Sequence, residues 1–323
     1  MKNQDFLPSK SPKTITSQSA LVIALAIAAC YPVSSQAVNH ILSDNGSSVQ
    51  VDVDSSIGMH WWDVDGVNNQ LQKQWFYYRI GGGLAQPINS ISTASVDYST
   101  ANSLGVTYTS AGSFSLSVEY ALNGGGIGSG NGDILETISV LNLGATSLDF
   151  HLFQYSNFDL LGTPGNDSVS IASTGTGYDS AVHWEGAYGI TEGIVSPEAS
   201  RAEANLYSNT ETSLTTVAGY NLNNNLTQLN GDVTWAFQWD NEIAVNDGLF
   251  IFKDKSMSIA PDPRTFVHGV GGTWAGCIGF EGAPFGQVIY SATLPYEKPA
   301  FFGRLFSSHN QHVQVSYFPF AIT

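Results

Sequence analysis

Past residue 40 the chain alternates apolar and polar positions with a period of two, in runs broken by Gly, Asn, Ser and Asp. Val49, Val51 and Val53 are spaced by Gln50, Asp52 and Asp54. Phe114, Leu116, Val118 and Tyr120 are spaced by Ser115, Ser117 and Glu119, and Leu148, Phe150 and Leu152 by Asp149 and His151. Successive strand side chains point to opposite faces, so each run predicts an antiparallel strand with one face on a core. Leu249–Lys253 predicts another. Between two such runs, Asn123–Asp133 (NGGGIGSGNGD) predicts a long hairpin connection whose glycines tolerate positive φ. One segment predicts a helix: Ser196-Pro197-Glu198 offers a cap, a first-turn proline and an acid at the positive end, and Ala199, Ala202, Ala204 and Leu206 continue it. Asn221–Asn230 predicts a loop. Many short strands with one short helix predict an all-β fold, an antiparallel β-sandwich of jelly-roll type, in one domain over residues 38–255.

Composition narrows the partners. Eleven Lys and Arg against 27 Asp and Glu give the 323-residue chain a formal charge of −16, with 12% of residues charged and 42% hydrophobic. Such a balance supports a packed core and argues against nucleic acid, because a phosphate-binding surface needs a cationic patch.

The N-terminus predicts export. Lys2, Lys10 and Lys13 precede the apolar run Leu21–Ala29, and Ser35-Gln36-Ala37 follows. A basic lead, a short apolar stretch and a small-x-Ala end describe a secretory signal peptide over residues 1–37. Ile27-Ala28-Ala29-Cys30 also resembles the lipobox of bacterial lipoproteins, which makes Cys30 a candidate lipidation site. With Cys30 removed or acylated, Cys277 is left without an internal partner, so the fold rests on packing and hydrogen bonds.

Residues 256–283 change character. Pro261-Asp262-Pro263-Arg264-Thr265 precedes a Gly-rich, moderately apolar stretch, Phe266–Phe280. This resembles a degenerate PEP-CTERM sorting signal, the tail of exported proteins in Gram-negative bacteria with an exosortase system. Asp262 stands where that family has Glu, and no terminal Arg cluster follows. Residues 284–323 read as an irregular tail, an eroded or frame-shifted extension of what was once a sorting tail. The body is similar to uncharacterised exported proteins that carry such tails, through Trp62–Val67, Gln74–Arg79, Phe153–Leu160 and Asp232–Asp240. The resemblance implies a place outside the cytoplasm, at the outer membrane or in the matrix, and no reaction.

Candidate chemistry is sparse. Asp63, Asp65 and Asn68 present oxygen ligands at a turn, suited either to a hard cation such as Ca²⁺ or to capping backbone N–H groups in an Asx turn. Trp75, Tyr77 and Arg79 oppose Phe76 and Tyr78, so both faces of that strand are aromatic; the first set is the candidate ligand-contact surface, for polysaccharide. Trp235, Phe237 and Trp239 share one face and read as core. Glu119 and Glu136 fall on neighbouring strands as a candidate carboxyl pair or as solvated side chains. The seven His residues, among them His60, His151, His183, His309 and His312, form no transition-metal signature, and no Gly-x-Ser-x-Gly elbow occurs. The expected function is an exported surface or matrix protein that acts by interaction, without catalytic residues; the alternative is a secreted carbohydrate-active enzyme on the same scaffold.

Overall fold

The computed structural model describes residues 39–259. The expected signal peptide, Cys30, Cys277, the sorting-like segment, His309 and His312 lie outside the described residues. The first half holds β1 (Asn39–Asp44), β2 (Ser47–Asp52), β3 (Gly58–Val64), β4 (Leu71–Ile80), β5 (Gln86–Pro87), β6 (Ser95–Thr100), β7 (Ser103–Ser110), β8 (Phe114–Asn123) and β9 (Asn131–Asn142). The second half holds β10 (Leu148–Phe158), β11 (Asp167–Ser173), β12 (Tyr178–Glu185), β13 (Tyr188–Ser196), β14 (Arg201–Leu206), β15 (Thr227–Gly231), β16 (Val233–Ile243) and β17 (Gly248–Ser258). One α-helix, α1 (Asn209–Thr216), lies between β14 and β15.

These strands form two sheets. The first has eight strands in the order β1-β2-β3-β4-β10-β16-β14, with β5 beside β4. The second has nine, in the order β15-β11-β12-β13-β17-β9-β8-β7-β6. Pairing is antiparallel apart from a short contact of Gly58 and Met59 with Gln74, which joins β3 to β4. The two apolar faces make one core containing Trp62, Phe76, Leu152 and Phe237 from the first sheet and Val118, Ile138, Ile190 and Ile251 from the second. The all-β sandwich is therefore as its alternation predicts, with more strands than the eight of a jelly roll.

Two elements differ from expectation. Ser196–Leu206 is not a helix: it ends β13 and forms β14, which pairs Arg201–Leu206 with Val233–Gln238. Ala202 and Ala204 are two apart, the strand period, and both are buried against β16. The helix starts later, at Asn209, after Ser208 and with Glu211 in its first turn. The final strand also runs past Lys255 to Ser258, because Met257 pairs with Ile190 and Gly132 and is fully buried. The Gly-rich connection between β8 and β9 is a loop, as its composition predicts. At Gly124 a Cβ would fall 1.7 Å from the Asp44 carbonyl oxygen, so only glycine lets the loop pass there.

Candidate active site on the outer face of the eight-stranded sheet

Register sets polar side chains from four strands in rows across the outer face. Arg79 on β4 lies opposite His151 on β10, which lies opposite Asp240 on β16. The next row is Tyr77, Phe153, Gln238 and Arg201; the one after is Trp75, Tyr155, Ala236 and Glu203. Every second residue of these strands faces this way, which is why β16 is buried on both sides: Trp235, Phe237 and Trp239 fill the core, and Ala236 and Gln238 lie beneath a covering segment.

That cover is α1 and the chain after it. Tyr77 Oη and Lys73 Nζ both donate to Glu211 Oε1 of the helix, each at 2.5 Å. Arg79 donates to the Tyr220 carbonyl at 2.5 Å and to Asn221 Oδ1 at 2.9 Å. Gln238 accepts from the Leu222 amide at 2.9 Å. Glu203 accepts from Thr210, Asn205, Tyr220 and the Asn223 amide. Burial, with the negative charge of Glu211 beside it, pushes the Tyr77 phenol well above its ordinary range, so it stays protonated and donates.

The expected contact surface is thereby corrected. Trp75 and Tyr77 are each 1% exposed and Arg79 is 4% exposed, with Trp75 Nε1 donating to Asn89 Oδ1. Both aromatic faces of β4 are covered because the sheet packs on its outer side as well as on its inner one. The carboxyl pair is corrected too: Glu119 lies opposite Thr137 and Tyr120 opposite Glu136, so Glu119 faces solvent and Glu136 faces the core. In the proposed cation turn, Asp65 Oδ1 and Oδ2 accept from the Gly128 and Gly130 amides, both at 2.7 Å. Asp63 is half-buried, and Asn68 is exposed with φ 40°. Among the described residues no group of three His, Cys, Asp or Glu side chains is placed to hold a metal ion.

What stays open is the edge of the rows at His151. Its Nδ1 is 2.5 Å from Asp240 Oδ1 and its Nε2 is 3.3 Å from Asp149 Oδ1. Arg201 Nε lies 3.5 Å from Asp240 Oδ2, and Gln238 Nε2 donates to Asp240 Oδ1 at 2.6 Å. The His151 side chain is 15% exposed, Asp240 30% and Asp149 58%, so the set lies at the surface. Two arginines, Arg79 buried and Arg201 half-buried, flank this acid–imidazole–acid set. Sequence reasoning put Asp149, His151 and Asp240 on polar strand faces, but only the register between β10 and β16 makes them one site.

Two other ionisable clusters among the described residues are closed to solvent. Lys253 and Lys255 on β17 meet Glu136 on β9 and Glu192 on β13 between the sheets, all four at most 1% exposed. His183 and Asp167, fully buried, approach to 3.3 Å beside Phe158 and Trp235.

No protein-family model matches the chain, and neither does any curated protein. Solved structures do. A bacterial glucoamylase complexed with acarbose superposes with a TM-score of 0.51 at 6% identity over 71% of this chain. The chain spans about a third (33%) of that protein. An aldose epimerase homologue from C. elegans matches with a TM-score of 0.43 at 6% identity, over 69% of this chain and 98% of its own. A family GH92 α-mannosidase from Bacteroides thetaiotaomicron matches at 0.36 and 9% identity, over 66% and 30%. The glucoamylase likeness establishes a shared fold. It also corrects the expectation of a module that acts by interaction without catalysis, in favour of the alternative reading, because the same fold makes up about a third of a glucoamylase.

Proposed function

We propose that the chain is an exported carbohydrate-active enzyme with His151 as its proton-transferring group. The observation that carries this reading is the imidazole held between Asp240 and Asp149 on the outer face of the eight-stranded sheet. The common fold with a glucoamylase supports a sugar as substrate, and the basic-apolar-small N-terminus supports export.

The chemistry follows from the geometry. Nδ1–H donated to Asp240 fixes the tautomer and ring orientation, leaving Nε2 as the nitrogen that exchanges protons. Asp149, the most exposed of the three, gives way to a sugar hydroxyl at Nε2. The hydroxyl proton passes to Nε2, and the resulting imidazolium is stabilised by Asp240, whose own position is set by Gln238 and Arg201. Negative charge developing on the sugar oxygen faces the guanidinium side of the site, where Arg79 lies in the same row and Arg201 in the next. The reaction class is acid–base catalysis at a sugar hydroxyl.

Proton NMR of the purified full chain with reducing monosaccharides and with oligosaccharides tests this, following anomer interconversion and bond cleavage together. His151→Asn is expected to lower the rate by about 10²–10⁴-fold. Full activity in that variant, or no sugar turned over by the unmodified chain, rejects the reading.

A further inference from the structure

We infer that the β1–β2–β3 end of the eight-stranded sheet is a second, non-catalytic binding surface, for the pyranose rings of a neutral glycan chain. The choice of a glycan among hydroxyl-rich ligands rests on the proposed function; the surface itself rests on its own geometry.

The register places two rows on the outer face here. Ile41, Gln50 and Trp61 form one row across the three strands; Ser43, Ser48 and Asp63 form the next. A β-bulge follows at once, since Gln50 pairs with Trp61 but Val51 pairs with Met59. Bulges bend a strand and re-aim its side chains. Trp61 emerges 37% exposed, and Ile41 beside it is 57% exposed. A single exposed tryptophan needs no explanation. The next row, Ser43, Ser48 and Asp63, lines an open depression of about 490 Å³ together with Asp65, Ile127 and Gly128 among others.

Three further features point to a ligand. Asp63 Oδ1 is buried without a hydrogen-bond partner, a state that a donated hydroxyl would relieve. The far wall is fixed in advance: Asp65 holds the Gly128 and Gly130 amides, and Asp44 Oδ2 accepts from the Gly124 amide at 2.9 Å. A preformed wall spares a ligand the cost of ordering a glycine loop. Finally, the lining offers hydroxyls, an amide and carboxylates but no Lys or Arg. Carboxylates and hydroxyls accept from sugar hydroxyls, an indole face stacks on the C–H face of a ring, and the absence of cations selects neutral over uronate-rich chains.

Affinity electrophoresis of the full chain in gels containing amylose, a mixed-linkage β-glucan or alginate tests the inference, with the NMR activity assay run in parallel. The expected result is retardation by a neutral glucan, about tenfold weaker affinity in Trp61→Ala and in Asp63→Asn, unchanged turnover of small sugars in both, and undiminished retardation in His151→Asn. Circular dichroism and thermal melting establish that the variants fold. No retardation by either neutral glucan, retardation by alginate alone, or Trp61→Ala and Asp63→Asn migrating as the unmodified chain does, each overturns it. Retardation without turnover of any sugar supports this surface while rejecting the enzyme reading, and turnover without retardation does the reverse.

Discussion

Asp159 follows β10, 7% exposed, with its carboxyl pushed up to about 6. Burial is the main cause; the nearby Asp232 and Asp167 add to it, and a hydrogen bond from Gln72 opposes it. A carboxyl whose pKa is higher folded than unfolded binds its proton more tightly in the native state. Stability is therefore lost as pH rises from about 4 to 6, and the ionised carboxyl costs about 1–3 kcal/mol above that window. Asp159→Asn is expected to raise stability by that amount at pH 8 and to change little at pH 4. Urea unfolding at the two pH values checks it; equal effects at both would place the cause elsewhere. At this scale the sequence was partly legible. The alternation of Trp235, Phe237 and Trp239 assigned them to the core, where they are. The same logic left Trp75, Tyr77 and Arg79 on the opposite face of their strand, also correctly, but a face is not an exposure. No local pattern in β4 reveals that Glu211, Tyr220 and Asn221, some 130 or more positions away, fold over it.

Among elements, the glycine-rich connection between β8 and β9 owes its shape to one carboxylate. Both oxygens of Asp65 accept backbone amides, from Gly128 and Gly130, and Asp65 itself sits at φ 55° in the turn after β3. Asn tolerates that backbone region and keeps one acceptor, so Asp65→Asn removes one charge-assisted bond without adding strain. It is expected to destabilise the fold by about 1 kcal/mol and to speed hydrogen exchange of the Gly128 or Gly130 amide while the β8–β9 ladder stays protected. Exchange unchanged at both glycines would show that the loop needs no such tie. Composition alone marked this segment as a connection, and Asp63–Gly66 as a turn, but not that one serves the other. The helix was misplaced for a related reason. Ser196-Pro197-Glu198 has the residues of a helix start, yet Ala202, Glu203 and Ala204 are all buried when extended, Ala202 and Ala204 against β16 and Glu203 under α1. Tertiary pairing prevailed over a weak local preference.

Across the whole molecule, the two sheets are joined by an ionic cluster as well as by apolar side chains. Lys253 and Lys255 alternate along β17 with Leu249, Ile251 and Met257 in the same parity, Glu136 shares its face with Ile134 and Ile138, and Glu192 with Ile190 and Ile194. Period-two spacing puts all four charges on apolar faces, but charged residues in strands ordinarily read as solvated, Glu136 among them. Burial lowers the pKa of both lysines, strongly for Lys253, which also feels Lys255. The carboxylates compensate: Lys253 Nζ lies against Glu136 and 2.9 Å from Glu192, and Lys255 Nζ is 2.6 Å from Glu136. Glu192 reaches across the interface as well, accepting from Gln154 Nε2 at 2.8 Å and from Trp235 Nε1 at 2.9 Å on the opposite sheet. Removing one carboxylate strands a buried cation and leaves two donors unpaired, so Glu192→Ala is expected to cost about 3–5 kcal/mol. Replacing a facing pair with apolar residues of similar volume removes both charges at once, and Lys253→Met with Glu136→Leu is expected to lie within about 1–2 kcal/mol of the native stability. Denaturant unfolding followed by tryptophan fluorescence measures both. If the double variant falls as far as Glu192→Ala, the charges themselves, and not merely their pairing, hold the sheets together.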